Sequence, residues 1–182
     1  IGFDVQLAAH GKSQIVYWLA AGRTYDEVRD LNRKILTKTA QRMLDRTEAY
    51  WRLWAAKEPI DFGPLPESIR DLYMRSQLIM RTQIDHGGAI LAANDTDITH
   101  FAGDTYSYMW PRDGALVAYA LTLSGHGELS RAFFRFCEEV LRGQSYFLHK
   151  YNPTGTLASS WHPWTLDGQV VLPIQQDETA LV

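Results

Sequence analysis

Apolar and polar positions change period along this 182-residue chain, and each change predicts a different element. Residues 3–20 read as strand material. Phe3, Val5 and Leu7 are separated by polar or small neighbours, Gly11-Lys12 reads as a turn, and residues 14–19 are β-rich. A period of two predicts strands. Two strands do not make a stable unit alone, so these read as the last strands of a β domain or an added edge on one. Gly22 closes the segment and Thr24-x-x-Glu27 is a capping box, so a helix is expected next. Val28, Leu31 and Ile35 form one stripe; Ala40, Met43, Thr47, Tyr50 and Trp54 continue it at spacings of three and four. That is one long helix or two in series, ended by Pro59. Gly63-Pro64-Leu65-Pro66 is a connector. Ile69, Leu72, Ser76 and Ile79 then mark another helix, stopped by His86-Gly87-Gly88. Residues 89–100 read as a loop or short extended stretch with a turn at Asn94-Asp95.

The following pair of helices differs in character. Residues 115–123, Ala-Leu-Val-Ala-Tyr-Ala-Leu-Thr-Leu, are apolar all round and predict a helix buried on every side, ended by Gly125. Residues 129–142 are amphipathic. Leu129, Ala132, Phe133, Phe136 and Val140 lie on one face, with Arg131, Arg135, Glu138 and Arg142 away from it. An all-apolar helix followed by a half-apolar one suggests an inner and an outer layer. A polar loop over 151–168 follows, holding Trp161-His162-Pro163-Trp164. Residues 172–181 then read as a second polar mouth leading into a helix. The chain is therefore expected to be mainly α after residue 22.

Composition narrows the classes. The chain is 46% hydrophobic and 21% charged, enough for a sizeable core, and its net charge of -3 offers no general attraction to nucleic acid or anionic membrane. The basic face of the first helix (Arg29, Arg33, Lys34, Arg42) is interleaved with Asp26, Glu27, Asp30, Asp45 and Glu48 and reads as solvated surface. No apolar run approaches ~18 residues, so no membrane span is expected. The single Cys137 excludes an internal disulfide framework and fits packing beside Phe136. That favours a reducing compartment slightly; a large secreted enzyme can also lack disulfides. The chain starts at Ile1 rather than Met, so an export signal before it stays open and localisation is not assigned. The six His residues show no metal-ligand spacing, and Asn94, Asp95 and Asp97 fit turn chemistry better than calcium. No phosphate loop or Ser-centred nucleophile motif is present.

The chemistry concentrates in Tyr106-Ser107-Tyr108-Met109-Trp110-Pro111-Arg112-Asp113, directly before the all-apolar helix. A pyranose has apolar C–H faces and a rim of hydroxyls. Aromatic rings cover the faces, while Arg and Asp read the rim as donor and acceptor. Asp113 and Asp177 occupy equivalent places, each where a loop meets the start of a predicted inner helix. Helix N-termini there bring partial positive charge and free N–H groups.

Residues 106–113 resemble the aromatic-Trp-x-Arg-Asp signature of the glucoamylase-like glycoside hydrolases (family 15). Pro173-Ile-Gln-Gln-Asp-Glu-Thr-Ala-Leu181 resembles the Pro-x-Gln-x-Asp segment at that family's next inner helix. The bacterial and archaeal members resemble this chain most, and the resemblance covers essentially all of it. It implies an (α/α)6 toroid, the six-hairpin glycosidase type, preceded by a β-supersandwich domain and a helical linker, of which this chain is a fragment. The resemblance implies that 1–22 is the end of the β domain, 23–60 the helical linker and 61–182 part of the helical domain. It implies exo-acting α-glucoside hydrolysis, releasing glucose from the non-reducing ends of α-glucans or maltooligosaccharides with inversion and without a cofactor or metal. Arg112 and Asp113 are then expected to bind hydroxyls of the terminal glucose. Trp110 packs beside that ring, Tyr106 and Tyr108 line it, and Trp164 lines the next subsite. Gln176 and Asp177 support the site from the second mouth. Where fungal members have Arg before Pro-Gln, this chain has Leu172.

Inverting hydrolysis needs an acid and a base ~6.5–9.5 Å apart. The resemblance puts both on later inner helices, after Val182, so no residue of this chain is expected to be the catalytic acid or base. The 182-residue chain alone is expected to be inactive and to expose apolar inner-helix surface. Glu138 and Glu139 fall on the outer helix, and Glu178 reads as a first-turn residue favoured by the helix dipole. A trehalase or glucodextranase on the same scaffold, or a non-catalytic carbohydrate-binding or regulatory toroid, are the alternatives. Oligomeric state is open.

Overall fold

The computed structural model describes residues 2–95, 106–159 and 165–182. The protein is mainly helical, with six helices and one two-stranded sheet among the described residues. It divides into two compact units, Ile1–Leu53 and Trp54–Val182, the boundary falling near the end of the second helix.

In the first unit, residues 2–22 form no strand. The alternation of Phe3, Val5 and Leu7 remains in the sequence, but no described segment pairs with it, and a strand is stable only in a ladder. Helix α1 spans Tyr25–Lys38. The capping box forms with a shift: Thr24 Oγ1 accepts from Glu27 N at 3.3 Å, while Glu27 Oε2 accepts from Arg23 N at 2.7 Å rather than from Thr24 N. Thr39 adopts φ 64°, which ends α1, and its hydroxyl accepts from Arg42 N at 3.3 Å to start α2, Ala40–Ala55. The periodic stretch is thus two helices in series. Arg29 pairs with Asp26 at 2.8 Å and Arg33 with Asp30 at 3.4 Å, both solvated. Such exposed pairs contribute well under ~1 kcal/mol each.

The second unit holds the core. Helix α3 is Glu67–Thr82, α4 is Pro111–Leu123, α5 is Gly127–Val140 and α6 is Gln176–Ala180. The core gathers Ile90, Met109, Ala118, Leu121, Phe133, Phe136, Phe147 and Tyr151. Helices α4 and α5 pack closely because Gly114 has no side chain. A Cβ there would lie 2.3 Å from Phe133 Cε2. Ser130 Oγ donates to Ala118 O at 2.7 Å across the same contact, so a buried hydroxyl is satisfied.

Helix α5 buries Phe133 and Phe136 and exposes Arg131, Arg135 and Glu138, matching its amphipathic pattern. Cys137 is buried and burial pushes its thiol up to about 12, so it packs rather than reacts. Helix α4 is not buried on every side in this chain, in keeping with the expectation that the chain alone exposes apolar inner-helix surface. Ala115, Ala118 and Leu121 are buried, but Leu116, Tyr119 and Leu123 are each more than half exposed on the opposite stripe. An apolar stripe says that a face resembles a core; it does not say that this unit supplies the partner.

At the turn between α4 and α5, His126 is fully buried and stacks on Trp54 with ring centroids 3.9 Å apart. Burial, and then Lys57, lower its pKa against the opposing pull of Glu128. Strands β1 (Thr165–Leu166) and β2 (Gln169–Val170) form a small antiparallel hairpin at the end of the predicted polar loop. Asp167 and Gly168 both have positive φ, as a two-residue hairpin turn requires, so the Asp-Gly pair was a readable signal.

Candidate functional site

The site is built on a short extended segment that runs into α4. Tyr106 O accepts from Ala93 N at 3.1 Å, Tyr108 O accepts from Ala92 N at 3.0 Å, and Met109 and Tyr151 exchange two backbone bonds at 2.9 Å. In extended backbone successive side chains face opposite ways. Met109 enters the core, fully buried, while Tyr106, Tyr108 and Trp110 cluster together. Asp95 fixes the start of the segment: its carboxylate accepts from Tyr106 N at 3.0 and 3.1 Å and from Ser107 Oγ at 2.8 Å. Asn94 Nδ2 donates to Thr82 O at 2.7 Å, so this pair ties the segment to the end of α3. Pro111 then holds Trp110 extended and occupies the first helical position, where its missing N–H costs nothing.

The aromatics have unequal roles. Trp110 is 5% exposed and Tyr106 is 53% exposed, their rings stacked at 5.9 Å between centroids. Tyr108 meets Trp110 edge-on at 6.1 Å, and Trp110 Nε1 donates to His149 Nε2 at 3.3 Å. Lys150 is fully buried, its Nζ 4.3 Å from the Tyr108 ring centre and 5.2 Å from that of Trp110. A cation over aromatic faces is attracted by their quadrupoles. Tyr106 therefore presents the accessible aromatic surface, and Trp110 supports it from beneath. Ordinary sequence reading gives no signal for His149 and Lys150, which reach this cluster from a loop.

Arg112 is the charge centre. Its Nη1 donates to Asp177 Oδ2 at 2.7 Å and reaches Gln175 Oε1 at 3.5 Å, and its Nη2 donates to Asp113 Oδ2 at 2.9 Å. The two mouths, 64 residues apart in sequence at Asp113 and Asp177 (177 − 113), meet on one guanidinium. Both aspartates are about half exposed, so water and small solutes reach their side chains. The Asp177 hydrogen bond, foremost among the causes, raises the Arg112 pKa. The same bond holds Asp177 below its usual carboxylate range.

Glu178 corrects its reading as a plain first-turn residue. It is 0% exposed. Its Oε2 accepts the backbone N–H of Arg112 at 2.7 Å, and its Oε1 lies 3.4 Å from Arg112 Nη1 without a hydrogen bond. The second position of α4 has an orphan N–H, and Trp110 as the capping residue offers no side-chain acceptor. Glu178 supplies the cap from another element. Burial pushes its pKa up to about 7, against the opposing pull of the Arg112 N–H and guanidinium. The helix mouth pictured as open to sugar oxygens is thus partly filled by the protein's own carboxyl group.

Of the predicted site residues, Tyr106, Tyr108 and Trp110 come together as one aromatic cluster, and Arg112, Asp113 and Asp177 as one charge cluster. Gln176 is exposed, and the amide beside Arg112 is that of Gln175. Trp164, with Trp161 and Asp97, lies outside the described residues. Asp113 also borders an apolar groove of about 430 Å³ lined by Ile79, Met80, Leu91, Leu116 and Val117. Among the described residues no group of three or more His, Cys, Asp or Glu side chains is placed to hold a metal, and no helix is long and apolar enough to cross a membrane. No family model, curated protein or solved structure matches this chain.

Proposed function

We propose that this chain carries the sugar-gripping part of a glucoamylase-like α-glucoside hydrolase, on part of an (α/α)6 toroid. The observations that carry the reading are Arg112 held between two half-exposed carboxylates and, on the segment leading into the same helix, an exposed tyrosine stacked on a tryptophan. These residues supply donors, acceptors and an apolar face, the three features that one pyranose ring requires. Arg112, Asp113, Asp177, Tyr106 and Trp110 are among the residues quoted for the glycoside hydrolase resemblance.

In this reading Asp113 and Asp177 accept from sugar hydroxyls, Arg112 donates through the N–H groups its protein partners leave over, and Tyr106 covers a C–H face. None of these is the proton donor. Asp177 is held ionised by Arg112, and Glu178 is buried behind it with one oxygen on a backbone N–H, out of reach of a glycosidic oxygen. Acid and base belong to residues outside this chain, and the intact enzyme would release glucose from non-reducing ends with inversion. The second reading is a carbohydrate-binding or regulatory domain of the same architecture.

Calorimetric titration of the 182-residue chain with maltose and with methyl α-glucoside tests the sugar site. Saturable binding that disappears in Arg112→Ala is expected, together with no glucose release from maltooligosaccharides. No binding of either glucoside removes the proposal. Glucose release by this chain alone removes the assignment of acid and base elsewhere. A panel of maltose, isomaltose, trehalose and starch on the intact protein separates glucoamylase from trehalase and glucodextranase activity, and no turnover of any of them favours the binding domain.

A further inference from the structure

We propose that Glu178 is a positioning residue of the sugar site: by capping α4 from α6, it locks the Arg112 backbone so that the two mouths present Asp113 and Asp177 in one fixed geometry. This rests on the sugar-site reading for its purpose, though the lock is a matter of geometry alone. Three observations carry it. Glu178 is fully buried, a costly place for a carboxyl group unless it is bonded. Its one short bond, 2.7 Å, goes to the backbone N–H of the residue whose side chain organises the site. The same guanidinium bonds Asp177, the neighbour of Glu178, so Arg112 is fixed through both its backbone and its side chain by adjacent residues of α6. A helix of five residues has little stability of its own. Its position is set by such contacts, among them Phe147 N donating to Thr179 Oγ1 at 2.9 Å and His149 N donating to Pro173 O at 2.7 Å.

The charged and titratable groups around Glu178 are Arg112 and Asp113 from α4, Asp177 from α6 and Tyr151 from the loop after α5. Arg112 stays charged at all accessible pH and Asp177 is held ionised, so near neutral pH the group that changes state is Glu178. The Arg112 amide therefore reports directly on it, since a carboxylate acceptor makes a stronger bond than a carboxylic acid.

The experiment is a pH series of ¹H–¹⁵N spectra on the whole 182-residue chain, paired with maltose titrations, for wild type, Glu178→Gln and Glu178→Ala. The Arg112 amide resonance is expected to move with a midpoint near 7 in wild type and to stop titrating in Glu178→Gln. Gln keeps an oxygen acceptor, so it is expected to retain maltose affinity within about threefold, whereas Ala, which leaves the N–H orphaned, loses about tenfold or more. An Arg112 amide that does not titrate, or one that titrates equally in Glu178→Gln, overturns the lock; so does an Ala variant that binds maltose as wild type does. If Ala does not fold, the amide titration and the Gln rescue still decide. A wild type that binds no maltose but shows the amide titration, lost in Gln, removes the sugar reading and leaves the lock standing.

Discussion

The two sides of Arg112 use the same chemistry to opposite ends. On the outer side, Asp113 and Asp177 are half exposed and pair with the guanidinium at 2.9 and 2.7 Å. On the inner side, Glu178 is fully buried and bonds the backbone N–H. Asp177 and Glu178 are adjacent in sequence, yet the first is pushed down by its Arg112 hydrogen bond and the second is pushed up to about 7 by burial. The guanidinium bond on one side and burial on the other make the difference. A solvated carboxylate keeps its charge and its free oxygens, so it can bind a ligand. A desolvated one gives up easy ionisation and serves to hold structure.

The comparison breaks most severely at its centre. Arg112→Ala removes the partner of both outer carboxylates and leaves Glu178 without the neighbouring cation. Maltose affinity is expected to fall by about 100-fold or more, and stability by about 2 kcal/mol, read by calorimetry and by urea unfolding. A variant that binds normally would show that the ion-pair cluster is only structural.

The pH dependence of stability separates the two sides next. Folding raises the Glu178 pKa from 4.5 to about 7, so the folded state favours its protonated form. Its contribution is fully present below pH 4.5 and is lost as pH rises through about 7. Folding lowers the Asp177 pKa from 3.8, so its contribution is present above 3.8 and is lost as pH falls through its depressed folded value. Subtracting the Glu178→Gln melting curve from that of wild type should therefore leave a slope between pH 4.5 and 7. The same subtraction with Asp177→Asn should leave one only in acid. Taking differences cancels the separate contribution of His126. Equal slopes for both variants would erase the distinction.

A smaller effect is expected at the aromatic face. Tyr106→Ala removes the exposed ring and leaves Trp110 uncovered; affinity should fall by about fivefold, matching a contact of about 1 kcal/mol, with little change in melting temperature. An unchanged affinity would place the sugar elsewhere.

What the sequence reveals here depends on how local the physics is. Arg112, Asp113 and Asp177 are legible because each combines a charge with a helix start. The break at Thr39 fell between two good helical stripes, and only its φ distinguishes two helices from one. Glu178 was misread because a first-turn glutamate is ordinarily solvated, and its burial depends on a contact 66 residues away. One clue was available: a tryptophan before Pro111 offers no acceptor, so the next N–H of α4 needed a partner from elsewhere. The strand-like pattern of residues 3–20 and the apolar stretch of α4 show the opposite limit. Both describe faces fit for burial, and neither names what lies against them.

The most direct test of the Arg112 site is maltose titration of Arg112→Lys beside wild type. Lys keeps the positive charge but lacks the planar fork that bonds Asp113 and Asp177 at once. The account predicts saturable binding by wild type and a loss of about tenfold or more in the variant, with a cooperative melt retained. Equal binding by the two proteins, or none by wild type, would contradict it.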